Sequence, residues 1–169
     1  QPTQLVITQT GGNVVSCAGG NNGTVTVVAT GGTPDYLTGY TYAWSNLQIG
    51  ATATGLSAGA ITVVVTDSNL CTASATYNIT QPTVVSLTLT PTDATCYQGA
   101  NGSVVASSTG GTPPYNYLWN NLQTTATASA LLAGTYNCTV TDANGCTSVT
   151  SGSIGEPSAL NASSTKTDV

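Results

Sequence analysis

Charge is what this 169-residue chain most lacks. Asp, Glu, Lys and Arg make up 4% of it, against about 25% in an ordinary globular domain. Lys166 is the sole basic residue, and there is no Arg and no His. A single basic side chain is too little to neutralise a phosphate backbone, which excludes nucleic-acid binding. A basic membrane-surface patch is excluded on the same ground. Without His, no Ser or Cys has an ordinary general base. The six acids Asp35, Asp67, Asp93, Asp142, Glu156 and Asp168 are scattered, so no catalytic group can be assembled and an enzyme is not expected. No apolar run approaches the roughly 20 residues of a membrane-spanning helix, so no membrane insertion is expected. Apolar spacing of three and four is missing too, which removes amphipathic helices.

What is present is written twice. Cys17, Asn22-Gly23, Gly31-Gly32-Thr33-Pro34 and Tyr36 return 79 residues later as Cys96, Asn101-Gly102, Gly110-Gly111-Thr112-Pro113 and Tyr115. After a four-residue difference placed at Leu37 to Tyr40, the spacing becomes 75. Trp44, Asn46-Leu47-Gln48, Thr66-Asp67, Asn69, Cys71 and Pro82 then match Trp119, Asn121-Leu122-Gln123, Thr141-Asp142, Asn144, Cys146 and Pro157. Ordered recurrence of rare residues is the mark of tandem duplication. The tail keeps the phase, with Thr167-Asp168-Val169 standing where Thr92-Asp93-Ala94 stood. The expected division is a first repeat over 1–82, a second over 83–157, and the first strand of a truncated third over 158–169, a window on a longer array.

Within each copy the period is two. Val25, Val27 and Ala29 alternate with Thr24, Thr26 and Val28; Ile61, Val63 and Val65 alternate with Thr62, Val64 and Thr66; Tyr136, Cys138 and Val140 alternate with Asn137, Thr139 and Thr141. One face is apolar and the other rich in hydroxyls. Turn signals about every ten residues separate the runs, as in an all-β sandwich. The predicted class is all-β: tandem immunoglobulin-like sandwiches of six or seven strands each, set end to end. Trp44 and Trp119 occupy the third run, where such sandwiches place a core Trp, and Tyr136 stands where a tyrosine corner would. Pro82 alone joins the copies and predicts a stiff junction. Each copy would add very roughly 30 to 45 Å to a rod.

Four of the five cysteines are equivalent in pairs. Joining Cys17 to Cys71 and Cys96 to Cys146 would close loops of 54 and 50 residues, each stabilising its repeat by about 4 kcal/mol. Bridging Cys71 to Cys96 across the junction is the rival, since four cysteines allow three connectivities. Cys138 is the remaining free thiol, a buried small hydrophobe where copy one has Val63. Disulfides place the chain in an oxidising, extracellular setting. A zinc site is disfavoured by the absence of His and of Cys-x-x-Cys.

Asp67 and Asp142 recur before Asn69 and Asn144, a pattern that suits a β-turn better than calcium, which takes six to eight oxygens. No metal and no cofactor is expected. Tyr36, Tyr42, Tyr115 and Tyr117 are candidate sugar-stacking contacts, with core packing as the competing role for the neighbouring Trp pair.

The ordered motifs Cys, Asn-Gly-(Thr/Ser)-Val, Gly-Gly-Thr-Pro-x-Tyr, Tyr-x-Trp, Leu-x-Ala-Gly, Val-Thr-Asp-x-Asn-x-Cys and (Gln/Glu)-Pro resemble the SprB-type repeat of Bacteroidetes surface proteins. The resemblance implies a large secreted cell-surface protein whose repeats build a filament. Relatives include a mobile adhesin of gliding bacteria exported by the type IX system. It brings no catalytic residues. Departures are Leu70 in place of Gly before Cys71, the insertion, and Cys138. The expected function is a non-enzymatic stalk whose partners are neighbouring repeats of the same chain, other filaments or surface polysaccharide. The alternatives are a polysaccharide-binding module using its exposed Tyr and Trp, and a self-assembling filament that exchanges residues 158–169 as a strand.

Overall fold

Strand formation follows the alternation of β-branched residues. The computed structural model describes residues 3–12, 14–37 and 39–163, and among these there are twelve strands and no helix. The first repeat holds β1 (Val6–Gly12), β2 (Gly23–Thr30), β3 (Thr41–Trp44), β4 (Thr52–Leu56), β5 (Gly59–Thr66) and β6 (Thr72–Ile79). The second holds β7 (Ser86–Thr92), β8 (Gly102–Thr109), β9 (Asn116–Trp119), β10 (Thr127–Leu131), β11 (Gly134–Thr141) and β12 (Thr147–Ile154). Contacts divide the chain into two units, Gln1–Val84 and Val85–Val169.

Each unit is a pair of three-stranded antiparallel sheets. Their strand orders are β1-β2-β4 with β3-β5-β6 in the first, and β7-β8-β10 with β9-β11-β12 in the second. The inward sets read from the sequence are buried: Val25, Val27 and Ala29 on β2, Ile61, Val63 and Val65 on β5, and Cys138 and Val140 on β11, with Tyr136, the third of that last set, only half-buried. Trp44 and Trp119 lie at the centre of their cores. Each satisfies its indole N–H on a loop carbonyl, Gly50 and Thr125 respectively, at 2.9 Å. Full burial of a Val contributes about 1.5–3 kcal/mol, and four such residues stand at 0% exposure on β2 and β5, beside the larger buried side chains of Trp44, Leu56, Ile61 and Ile79. On the outer face, hydroxyls of facing strands pair with each other, Thr62 with Thr76 at 2.7 Å and Thr26 with Thr52 at 3.1 Å.

Tyr136 forms the expected corner, its hydroxyl donating to the Leu132 carbonyl at 3.1 Å. The expected third-repeat strand is not seen in its described part: residues 158–163 have no regular structure, and 164–169 lie outside the described residues.

Candidate functional site

The register of the hairpins decides where the cysteines stand. In the first unit β5 pairs β6 from Gly59↔Ile79 to Thr66↔Thr72. Cys71 therefore belongs to the Thr66–Thr72 end. Val15 donates its N–H to the Thr80 carbonyl at 2.8 Å, so Cys17, two residues on, belongs to the opposite end. Eight residues of β6 separate the two, on the order of 25 Å, whereas a disulfide needs Cα atoms within about 7 Å. The second unit repeats this, with Ala94 bonded to Gly155 and Thr141 paired to Thr147 beside Cys146. The expected bridges Cys17–Cys71 and Cys96–Cys146 are therefore not formed. Cys71 and Cys96 are exposed free thiols, which also removes Cys71–Cys96 as a bond within the chain. Cys17 and Cys146 are disulfide-bonded. Cys138 is the expected buried free thiol, and burial pushes its titration up, partly offset by a hydrogen bond from the backbone at Leu118.

Both cysteine positions are built in the same way in the two copies. The Cys17 and Cys96 turns close through Gly20 N–H and Gly99 N–H on the cysteine carbonyls, each at 3.0 Å. Asn22 and Asn101 clasp them by accepting from Ser16 N–H and Thr95 N–H at 3.0 Å. The Gln81 side chain accepts from Gly19 N–H at 2.8 Å, and Glu156 does so from Gln98 N–H at 2.6 Å. At the other end Asp67 Oδ1 accepts the N–H groups of Asn69 and Cys71, at 2.9 and 2.8 Å, while Oδ2 accepts that of Thr33 at 2.9 Å. Asp142 does the same with Asn144, Cys146 and Thr112, at 2.9, 2.8 and 2.8 Å.

The two aspartates thus tie the Gly-Gly-Thr turn to the turn before the last strand. The Thr33 N–H holds Asp67 below the usual carboxylate range against the opposing effect of burial, with Cys71 and Asn69 adding to it. For Asp142 burial is the largest influence and pushes upward, but the N–H groups of Thr112, Cys146, Asn144 and Gly145 outweigh it, and the net direction is down. Oxygens already facing N–H donors are poorly placed for a cation. Among the described residues no cluster of three His, Cys, Asp or Glu could hold a metal.

The tyrosines do not form one platform. Tyr42, Tyr115 and Tyr117 pack half-buried against their cores, whereas Tyr36 is wholly exposed, at 105%. Tyr36 is also not the counterpart of Tyr115. Tyr40 donates its hydroxyl to the Gly31 carbonyl at 2.6 Å, and Tyr115 to that of Gly110 at 2.5 Å. The four extra residues therefore fall within 35–39 and precede Tyr40, a stretch that begins earlier than Leu37 to Tyr40. They form a small hairpin in which Asp35 and Gly39 exchange backbone hydrogen bonds at 2.6 and 3.0 Å, with Tyr36 and Leu37 at its tip.

One further repeated feature has a role that the sequence did not disclose. Leu47 and Leu122 both hold φ +69, a region costly for a branched side chain, and are 92% and 81% exposed. Each sits in a turn closed by its N–H on the preceding Trp carbonyl three residues back, at 2.9 Å. The next residues, Gln48 and Gln123, bond side chain to backbone with Thr54 and Ser129 in both directions. Repetition of Asn-Leu-Gln was the visible signal, and its role is to fix this turn.

The SprB repeat model matches residues 15–48 and 88–124, one stretch in each copy, bearing out the resemblance read from the motifs. No curated protein matches. Among solved structures, the three N-terminal domains of the bacteriophage RB49 highly immunogenic outer capsid protein are similar with a TM-score of 0.56 and 16% identity, over 91% of this chain and 59% of that one. A C-terminal intimin fragment, solved with the intimin-binding domain of the translocated intimin receptor, gives 0.42 and 12%, over 93% and 64%. The N-terminal eight Ig domains of Down syndrome cell adhesion molecule give 0.42 and 15%, over 92% and 25%. This chain spans less than two thirds of each. Among the described residues no helix is long and apolar enough to cross a membrane.

Proposed function

We propose that this chain, with an SprB-repeat match in each of its copies, is a non-enzymatic stalk segment of a large secreted cell-surface adhesin that serves adhesion or gliding motility. One observation carries this. Every polar motif shared by the copies resolves into a fastening of the fold: the Asn clasps, the aspartate ties, the Gln-held turns and the Tyr hydroxyls on Gly31 and Gly110. What is duplicated is thus a spacer, and its product is reach.

Small-angle scattering of the two-repeat chain tests it. A single elongated particle of about 60 to 90 Å, two repeats at about 30 to 45 Å each, is the expected result. A compact particle or a broad spread of lengths would overturn the stalk.

A second reading, a polysaccharide-binding module, is favoured by Tyr36 alone, whose ring is free to stack. Glycan-array binding by the same chain, lost in Tyr36→Ala, would establish it. No binding supports the spacer.

A further inference from the structure

The outer edge of the β1-β2-β4 sheet is occupied although no strand lies there. β4 is the outermost strand of its sheet, as β10 is in the second unit. Both are bulged, with one extra residue between Ala53 and Leu56 and between Ala128 and Leu131, and Gly55 stands there at φ +65, Ala130 at φ +56. At the bulge the backbone of Thr54 spends its N–H and C=O on one side chain. Thr54 N–H donates to Gln48 Oε1 at 2.9 Å, and Gln48 Nε2 donates to the Thr54 carbonyl at 2.7 Å. Ser129 and Gln123 repeat the exchange at 3.0 and 2.9 Å.

A reciprocal pair of N–H···O bonds is what two facing residues of an antiparallel ladder make. The Gln amide carries both a carbonyl acceptor and N–H donors, so it stands in for the residue of a neighbouring strand. It is also held in place from the other sheet of its unit. The Gln48 carbonyl accepts Trp44 N–H, on the edge strand β3, at 2.9 Å, and the Gln48 N–H donates to Asn46 Oδ1 at 3.3 Å. Gln123 is held by Trp119 and Asn121 in the same way, at 2.9 and 3.2 Å. Leu47 and Leu122 take up positive φ in the turns that place these amides.

We propose that Gln48 and Gln123 are edge guards, closing β4 and β10 against strand addition by a second copy of this chain. A free edge is a template for pairing with another chain, and proteins blunt it with bulges, with cover or with charged side chains, Lys above all. With one Lys and no Arg in the chain, charge is not the device used here. A neutral amide covers the outward N–H and C=O that the bulge leaves. The second copy is the fitting intruder because it carries the same edges, Thr52–Leu56 and Thr127–Leu131, neither of which holds a charged residue. Two such edges brought together meet no repulsion.

The full chain with Gln48→Ala and Gln123→Ala tests this by sedimentation velocity and amide hydrogen exchange, its exposed thiols alkylated so that no disulfide joins copies. The native chain should stay monomeric. In the dilute variant the Thr54 and Ser129 amides should exchange about tenfold faster than in the native chain, the worth of one hydrogen bond. As its concentration rises the variant should dimerise, and those two amides should slow again. Gln48→Glu with Gln123→Glu keeps an acceptor for each amide and sets a charge on the edge, so it should not dimerise. A native chain that associates as the variant does, an alanine variant that stays monomeric, or dimers in which Thr54 and Ser129 exchange freely would overturn the proposal. Loss of the sheet's circular dichroism in the alanine variant would make the amide a brace of the sandwich and overturn it too. Exchange at Thr54 and Ser129 in the native chain decides independently of how the variants fold: rates as fast as those of an open loop rule the guard out. The stalk is judged separately, by the length of the native chain in solution.

Discussion

Tyr40 hydrogen-bonds the Gly31 carbonyl at 2.6 Å, the bond that Tyr115 makes to Gly110. This pair, and not the better sequence match at Tyr36, aligns the two copies. A hydrogen bond of this kind contributes about 0.5–1.5 kcal/mol net. Tyr40→Phe and Tyr115→Phe should each lower stability by about 1 kcal/mol in urea unfolding, while Tyr36→Phe should stay within about 0.5 kcal/mol of wild type.

Asp67 and Asp142 titrate below the ordinary carboxylate range in the folded chain. Their contribution is therefore complete above the unfolded-state value, near pH 4, and is lost as the pH falls through the folded-state values. The urea midpoint should be level through neutral pH and drop in acid. In Asp67→Asn with Asp142→Asn the midpoint should be lower at neutral pH, and the gap to wild type should close in acid. A gap that persists unchanged in acid would remove the carboxylates as its cause.

Leu70 is held at φ +66, where the second copy has Gly145 at φ +83. A left-handed non-glycine residue costs about 1–2 kcal/mol, and Gly returns about 0.5–1 of that through greater freedom when unfolded. With its side chain 81% exposed, Leu70 has little packing to lose. Leu70→Gly should raise stability by about 0.5–1 kcal/mol, read as a higher thermal midpoint of the first repeat.

Cys138 faces Trp119 across β9 and β11, as Val63 faces Trp44 across β3 and β5. Cys138→Val, a swap to the residue that fills this place in the sister core, should change stability by less than about 1.5 kcal/mol. In the native chain a thiol reagent should modify Cys71 and Cys96 promptly. Cys138 should react only on denaturation, and Cys17 and Cys146 only after reduction.

The strands were legible because burial imposes period two on Val25, Val27, Val63 and Val65, and the sandwich was legible because turn residues recur between them. Trp44, Trp119 and Tyr136 fell where the pattern put them. Cysteine pairing was not legible. Spacing along the chain does not say at which end of a sandwich a residue stands, and one strand's length separates Cys17 from Cys71. The tyrosine platform failed for a related reason: identity of Gly-Gly-Thr-Pro-x-Tyr aligned Tyr36 with Tyr115, but a phenol is placed by the carbonyl it reaches. Leu47 and Leu122 gave no warning, since nothing in a leucine announces positive φ.

Apart from the carboxylates of Asp67, Asp142 and Glu156, each facing backbone N–H groups, the fastenings of this fold are amides and hydroxyls on backbone groups, such as Gln48 on Thr54 and Asn22 on Ser16. Neutral dipoles at contact are not weakened by a Debye atmosphere as exposed ion pairs are. A surface built this way meets fresh water and brine on equal terms: ionic strength finds almost nothing to screen, and the repeat keeps its shape across both.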